Sequence, residues 1–210
     1  QQIQHIYDAL RPQVEVLADQ CGQGFIADLA GAIGLDHDRG RLGDADGVRA
    51  AYSADIGCVR LTERALYSDP PTAEELVAAT EFASERLAQA FAAVPVEQAR
   101  TWVGVAGTMT TLSAIGMGLP EYDSDVIHLS RISLPDLNSV CERLIAMTRA
   151  DRAELGPMHP GRVDVIGGGS LVTMQLAREF SGRAGITELV VSEHDILDGI
   201  ALGLLPLLDP

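Results

Sequence analysis

Lysine is absent: all 15 basic residues of this 210-residue chain are arginine. That excludes a Walker A loop, whose lysine reaches the phosphates, and any Schiff base on a lysine amine. Cysteine is scarce. Cys21, Cys58 and Cys141 are odd in number and far apart, with no Cys-x-x-Cys pair. They read as buried, reduced thiols and not as a disulfide frame. His5, His37, His128, His159 and His194 form no His-Glu-x-x-His and no pair at helical spacing, which argues against zinc. No Gly-x-Ser-x-Gly elbow occurs, because Gly168-Gly169-Ser170 continues into Leu171 and Val172. No apolar run reaches the roughly 18 residues of a membrane span. The N-terminal QQIQHIYDALRPQ lacks the basic flank and apolar stretch of a signal peptide. A cytoplasmic protein without a membrane partner is expected.

Positive charge is also short. Thirty acidic residues leave a formal net charge of −15. Nucleic acid requires phosphate neutralisation over a broad surface, so it is not an expected partner. A phosphorylated ligand must be held locally, by a few arginines, helix N-termini or a divalent metal, against the overall repulsion.

What the chain does have is apolar substance and two matching segments. Hydrophobic residues make up 47% and mean hydropathy is +0.13, enough to bury a real core at this length. WVGVAGTMTTLSAI (residues 102–115) and VDVIGGGSLVTMQL (163–176) share one plan. Each is an apolar run, a glycine turn and a hydroxyl residue opening a helix. Glycine lets a backbone approach a ligand closely, and a helix N-terminus offers unpaired N–H groups to phosphate. An ordinary strand-to-helix turn accounts equally for either segment taken singly.

The remaining chain predicts an α/β fold, a mixed sheet flanked by helices. Strands are expected at 14–17, 48–55, 56–61, 101–106 and 188–191. Residues 25–35 suit helix or strand, and 36–47 read as a charged, glycine-rich loop with an Asp-Gly hairpin turn. Thr72 with Glu75 forms a capping box for a helix reaching about residue 94. Ser133 with Asp136 caps a helix over 134–147, with Pro135 in its first turn. Further helices are expected at 109–117, 148–155, 170–180 and, capped by Ser192, 195–205. Residues 162–166 suit strand or helix.

Four ordered segments carry a family resemblance. They are SADIGCVRLTERALYSDPPTAEEL (53–76), VGVAGTMTTLSAI (103–115), YDSDVIHLSRISLPDL (122–137) and ELVVSEHDILDGIALGLL (188–205). Together they resemble the exopolyphosphatase/guanosine-pentaphosphate phosphatase family, from about residue 43 to 205. The resemblance implies an actin-like, ribonuclease-H-like fold with two such domains and an active site in the cleft between them. It implies magnesium-dependent release of terminal phosphate from inorganic polyphosphate, with guanosine pentaphosphate as the alternative substrate. A non-catalytic phosphate-binding or interaction fragment is the reading from another class. Residues 47–210 resemble the second domain, with 1–46 a poorly matched remnant of the first. Half a cleft exposes an apolar face, so a homo-oligomer or a covering partner is expected.

The residues carried over by resemblance are few. Gly107 and Thr108 match a cleft-lining loop. Gly167, Gly168 and Gly169 match a turn on the nucleotide side of actin-like proteins. Arg60 suits a phosphate contact or a structural salt bridge. His128 and Arg131 are further candidates for a polyanion. The family's Asp-x-Gly-(Thr/Ser)-Asn-Ser loop has no counterpart. Its Asp-x-Gly-Gly-Gly-Ser loop is expected just before the Val48 strand, where the chain reads LDHDRGRLGDADG. The glutamate stretch falls near VEVLADQC (14–21), which holds Glu15 and Asp19. No catalytic residue and no protein-held metal site are assigned.

Overall fold

The computed structural model describes residues 24–28, 38–44 and 47–194, with side chains from residue 49 onward. Six strands form one sheet: β1 (Gly24–Asp28), β2 (Asp38–Asp44), β3 (Gly47–Ala54), β4 (Thr101–Val105), β5 (Arg131–Ser133) and β6 (Glu188–Ser192). Their spatial order is β3-β2-β1-β4-β6-β5. The neighbours β1, β4 and β6 run parallel. The β1-β2-β3 meander and the β5 edge are antiparallel. Parallel neighbours require long crossovers, and these carry the helices. They are α1 (Cys58–Ala65), α2 (Ala73–Ala93), α3 (Ala106–Gly116), α4 (Ser124–Ile127), α5 (Leu134–Ala146), α6 (Arg149–Ala153) and α7 (Ile166–Ala184). The mixed sheet flanked by helices is the expected class. β1 and β2, from the poorly matched N-terminal segment, are strands of this same sheet.

The capped helices form where their side chains satisfy first-turn N–H groups. Thr72 Oγ1 accepts from the Glu75 N–H while Glu75 accepts from the Thr72 N–H, a closed capping box. Ser133 and Thr148 cap α5 and α6 through Asp136 N–H and Asp151 N–H. α7 runs to Ala184, past the expected end, and stops at Gly185 with φ of 67°. The αL turn that ends a helix there favours glycine.

Alternation along the strands divides the core. Trp102, Leu189 and Val191 join the large cluster beneath α2, α5 and α7, where Phe180 meets Trp102 and Phe91 at centroid distances of 5.0 and 5.9 Å. Val103, Val105 and Val190 form a smaller cluster with Leu129. The strands expected at 101–106 and 188–191 are therefore buried. Cys58 and Cys141 are buried free thiols. Burial pushes the Cys141 thiol up to about 12, so it stays protonated.

Three expectations are corrected. Residues 56–61 were expected as strand, yet Cys58–Ala65 is helical. Cys58, Leu61 and Ala65 share its buried face, a helical spacing hidden in a short apolar run. The charged loop expected at 36–47 contains β2, whose partners β1 and β3 supply hydrogen bonds on both edges. Gly167–Gly169 is not a turn but the buried first turn of α7. Of the ambiguous residues 162–166, Arg162 ends a 3-10 turn, 163–165 form a turn and Ile166 opens that helix. The elements expected at 14–17 and 195–205, with Cys21, Glu15 and Asp19, lie outside the described residues. Among the described residues no helix is long and apolar enough to cross a membrane.

Candidate phosphate site at the β4–α3 junction

β4 is an apolar strand buried from Trp102 to Val105. It passes into α3 through Ala106, whose φ is 66°. A non-glycine residue in that region is held by its surroundings at a cost of roughly 1–2 kcal/mol. Gly104 makes room for this entry: a Cβ there would lie 2.7 Å from Met109 Cγ and 2.9 Å from Leu189 Cδ1. α3 has no side-chain cap. Gly107 and Thr108 thus present first-turn N–H groups, with the positive end of the helix dipole, at the carboxyl end of β4. Ligands of open α/β sheets bind outside the carboxyl ends of parallel strands. In the β1–β4 ladder Asp28 stands opposite Val105, so the end of β1 adjoins the same junction.

A cation sits on this turn. Arg162 ends a 3-10 turn (Pro160–Arg162) before α7. Its guanidinium lies where a Gly107 side chain would be: Nε, Cζ and Nη2 are 2.5–2.6 Å from an ideal Cβ. Nη1 donates to Thr111 Oγ1 at 2.8 Å. The Tyr122 ring lies below, 5.8 Å from Cζ to centroid. The Tyr122 hydroxyl donates to Glu193 Oε1 at 2.6 Å, just past the end of β6. Burial first, then the Glu193 hydrogen bond, raises the Tyr122 pKa and keeps the phenol neutral. An uncapped helix N-terminus and a guanidinium on one turn match a phosphate oxygen cluster.

The structure distributes the expected site residues unevenly. Gly107 and Thr108 lie at the junction. Gly169 adjoins Thr108, at 2.8 Å from an ideal Cβ to Thr108 Cγ2, so the two glycine segments meet. Gly168 faces α1 instead: an ideal Cβ there would lie 2.5 Å from Thr62 Oγ1 and 2.7 Å from the Cys58 carbonyl. Gly167 faces the buried Arg152. Arg152 donates to the carbonyls of Leu144, Ile145 and Val163, closing the end of α5, and burial lowers its pKa. Arg60 is on a helix and pairs with Asp55. Arg131 pairs with Glu188. His128 Nδ1 accepts from the Glu193 N–H at 3.3 Å, and its ring meets His194 edge to face.

Sequence reading missed Arg162, Tyr122, Glu193 and Asp28. A signal existed for two of them. Arg162 opens the RVDVI run that leads into the second glycine segment. The Asp-x-Gly-Gly-Gly-Ser loop is expected directly before β3, whereas β2 lies between the end of β1 and β3. Asp28 ends β1 and is followed by Leu29-Ala30-Gly31, keeping the aspartate and one glycine of that pattern. Tyr122 and Glu193 left no trace because their contact spans 71 residues. For the implied magnesium, no group of three or more His, Cys, Asp or Glu side chains exists among the described residues. These residues form no metal cage by themselves.

A family model described as the Ppx/GppA phosphatase family matches residues 40–203. Exopolyphosphatase 2 of Mycobacterium tuberculosis is 64% identical over 157 residues, 75% of this chain and 49% of that protein. The bifunctional 3-dehydroquinate synthase/phosphatase of Fusobacterium nucleatum is 29% identical over 168 residues, 77% of this chain and 24% of that protein. The crystal structure of an exopolyphosphatase-like protein superposes with a TM-score of 0.84 at 37% identity, covering 90% of this chain and 61% of that one. The Aquifex aeolicus PPX-GPPA enzyme superposes with a TM-score of 0.75 at 23% identity, covering 90% and 60%, and speaks to fold alone. The chain spans about half the length of the mycobacterial relative.

Proposed function

Because this chain belongs to the Ppx/GppA phosphatase family, we propose that its β4–α3 junction holds the terminal phosphate of inorganic polyphosphate, as one wall of an exopolyphosphatase site. The observation that carries this is the Arg162 guanidinium seated on Gly107, beside an uncapped helix N-terminus. The relative named exopolyphosphatase 2 supports polyphosphate as the substrate class. The portion read as the second of two actin-like domains takes in β1 and β2 of the shared sheet as well as residues 47–210.

Hydrolysis of a phosphoanhydride forms a bond from water oxygen to the terminal phosphorus and breaks its bond to the bridging oxygen. The water gives up a proton, and the shortened polyphosphate leaves as an anion. Charge on the phosphoryl oxygens and the leaving oxygen then needs fixed donors. The Gly107 and Thr108 N–H groups and Arg162 supply them without reorganisation. Asp28 ends the adjacent strand opposite Val105, at the same end of the sheet. The carboxylate that activates water is assigned to no described residue. Magnesium, as the resemblance implies, would be bound by one or two carboxylates together with substrate phosphate oxygens, and no step here runs through it.

Titration of the chain with a short inorganic polyphosphate tests the reading. Gly107→Val fills the Arg162 seat, and affinity is expected to fall at least about tenfold, the worth of one charge-assisted contact. Unchanged affinity with an intact fold reduces the junction to a plain turn.

A further inference from the structure

Tyr122 lies between α3 and α4 and has opposite charges on two sides. Its ring faces the Arg162 guanidinium, and its hydroxyl is engaged by Glu193. Arg162 and Glu193 thus contact the same tyrosine, and a guanidinium that comes within reach of a carboxylate ordinarily pairs with it in a bidentate, charge-assisted bond. Here the glutamate accepts from a neutral phenol, and Arg162 donates to a neutral hydroxyl on Thr111. Among the described residues no carboxylate forms an ion pair with Arg162.

We infer that Tyr122 is a positioning residue that keeps Glu193 off Arg162 and so leaves the guanidinium charge available to an anionic phosphate at the β4–α3 junction. The ring adds cation–π support to the guanidinium from below, while the hydroxyl occupies the carboxylate. The loop carrying Tyr122 is fixed from its other side as well. A Cβ on Gly156 would overlap the Pro120 carbonyl, so only glycine lets these two loops pack so closely. The His128 bond to the Glu193 N–H holds the backbone that presents the carboxylate. This role rests on the phosphate-site reading above and specifies how its cation is kept unneutralised.

Isothermal titration of the full chain with inorganic tripolyphosphate, with thermal melting of every variant, decides it. Tyr122→Phe keeps the ring and frees the glutamate, so affinity is expected to fall about tenfold, the effect of neutralising one charge-assisted contact. Adding Glu193→Gln to that variant removes the competing charge and is expected to restore affinity to within about twofold of Glu193→Gln alone. A tyrosine that merely packs the loop would leave the double variant as weak as Tyr122→Phe. That result overturns the inference, as does a Tyr122→Phe variant that binds like the wild type. Should Tyr122→Phe fail to fold, Glu193→Gln with the tyrosine intact still discriminates. It is expected to change affinity less than about twofold, whereas a roughly tenfold gain would mean that Glu193 already neutralises Arg162. If Arg162→Ala binds like the wild type, or neither binds, the phosphate site itself fails and the spacer role fails with it.

Discussion

Gly168 and Gly182 stand in the same helix and should answer the same substitution with opposite signs. Glycine in a helix interior costs roughly 0.5–1 kcal/mol relative to alanine. Around Gly182 no atom lies within 4 Å of an ideal Cβ, so Gly182→Ala is expected to stabilise the chain by about that amount. At Gly168 the Cβ would meet the Cys58 carbonyl at 2.7 Å. That contact is backbone and cannot swing aside, and overpacking typically costs about 1–3 kcal/mol. Gly168→Ala is therefore expected to destabilise by about 1–2 kcal/mol net. Urea unfolding of both variants checks the pair, and two shifts of the same sign would contradict the packing account. The same contrast explains why the glycine triplet misled sequence reading. Glycine is equally suited to a turn and to close helix packing, and only the arrival of α1 and α3 from 110 to 60 residues away decides between them. Gly107 was read as a place for backbone to approach ligand. The structure fills that place with the guanidinium of Arg162, a residue 55 positions further on, which local pattern cannot disclose.

At the scale of elements, legibility followed capping chemistry. α2 and α5 were readable because Thr72 and Ser133 act on N–H groups three residues ahead, a purely local matter. β2 was unreadable because its residues, DRGRLGD, have poor strand propensity. Its order comes from the strands on both sides. α1 was misread for a related reason: its apolar residues fit either period, and packing against α7 selects the helix. The capping box also carries a pH dependence. Glu75 accepts from the Thr72, Ser68 and Tyr67 N–H groups and the Ser68 hydroxyl. The Thr72 bond is the chief cause that holds its carboxyl below the ordinary value of 4.5. A carboxyl depressed by folding contributes stability that is complete above its unfolded pKa and is lost as pH falls through the folded one. Thr72→Ala should cost about 1 kcal/mol at neutral pH. Glu75→Gln should destabilise at neutral pH, with the difference from wild type shrinking below pH 4.5. Melting temperatures measured from pH 7 downward test this, and a difference that grows in acid would have the sign wrong.

For the whole molecule, the balance of charge and the share of the family covered set the expectation for turnover. With a net charge of −15, the chain repels any polyanion at a distance, and on the proposed reading a polyphosphate would be held only where local cations and helix N–H groups converge. The β4–α3 junction answers that need on one wall. Turnover needs more: a carboxylate within about 3 Å of the water it orients, acting at the point where charge develops. Neither the Asp-x-Gly-(Thr/Ser)-Asn-Ser loop nor the glutamate stretch of the resemblance occurs in these 210 residues in recognisable form. General base assistance contributes typically 10²–10⁴-fold, and loss of an oxyanion-type donor about 10²–10³-fold. The purified chain is therefore expected to bind tripolyphosphate yet release phosphate from polyphosphate at a rate lower by several orders of magnitude than the full-length mycobacterial relative assayed beside it with magnesium. Phosphate release at a comparable rate would refute this. The water-activating carboxylate would then have to lie within this chain, and Glu15→Gln and Asp19→Asn would be the first variants to assay, because they stand nearest the family's glutamate stretch.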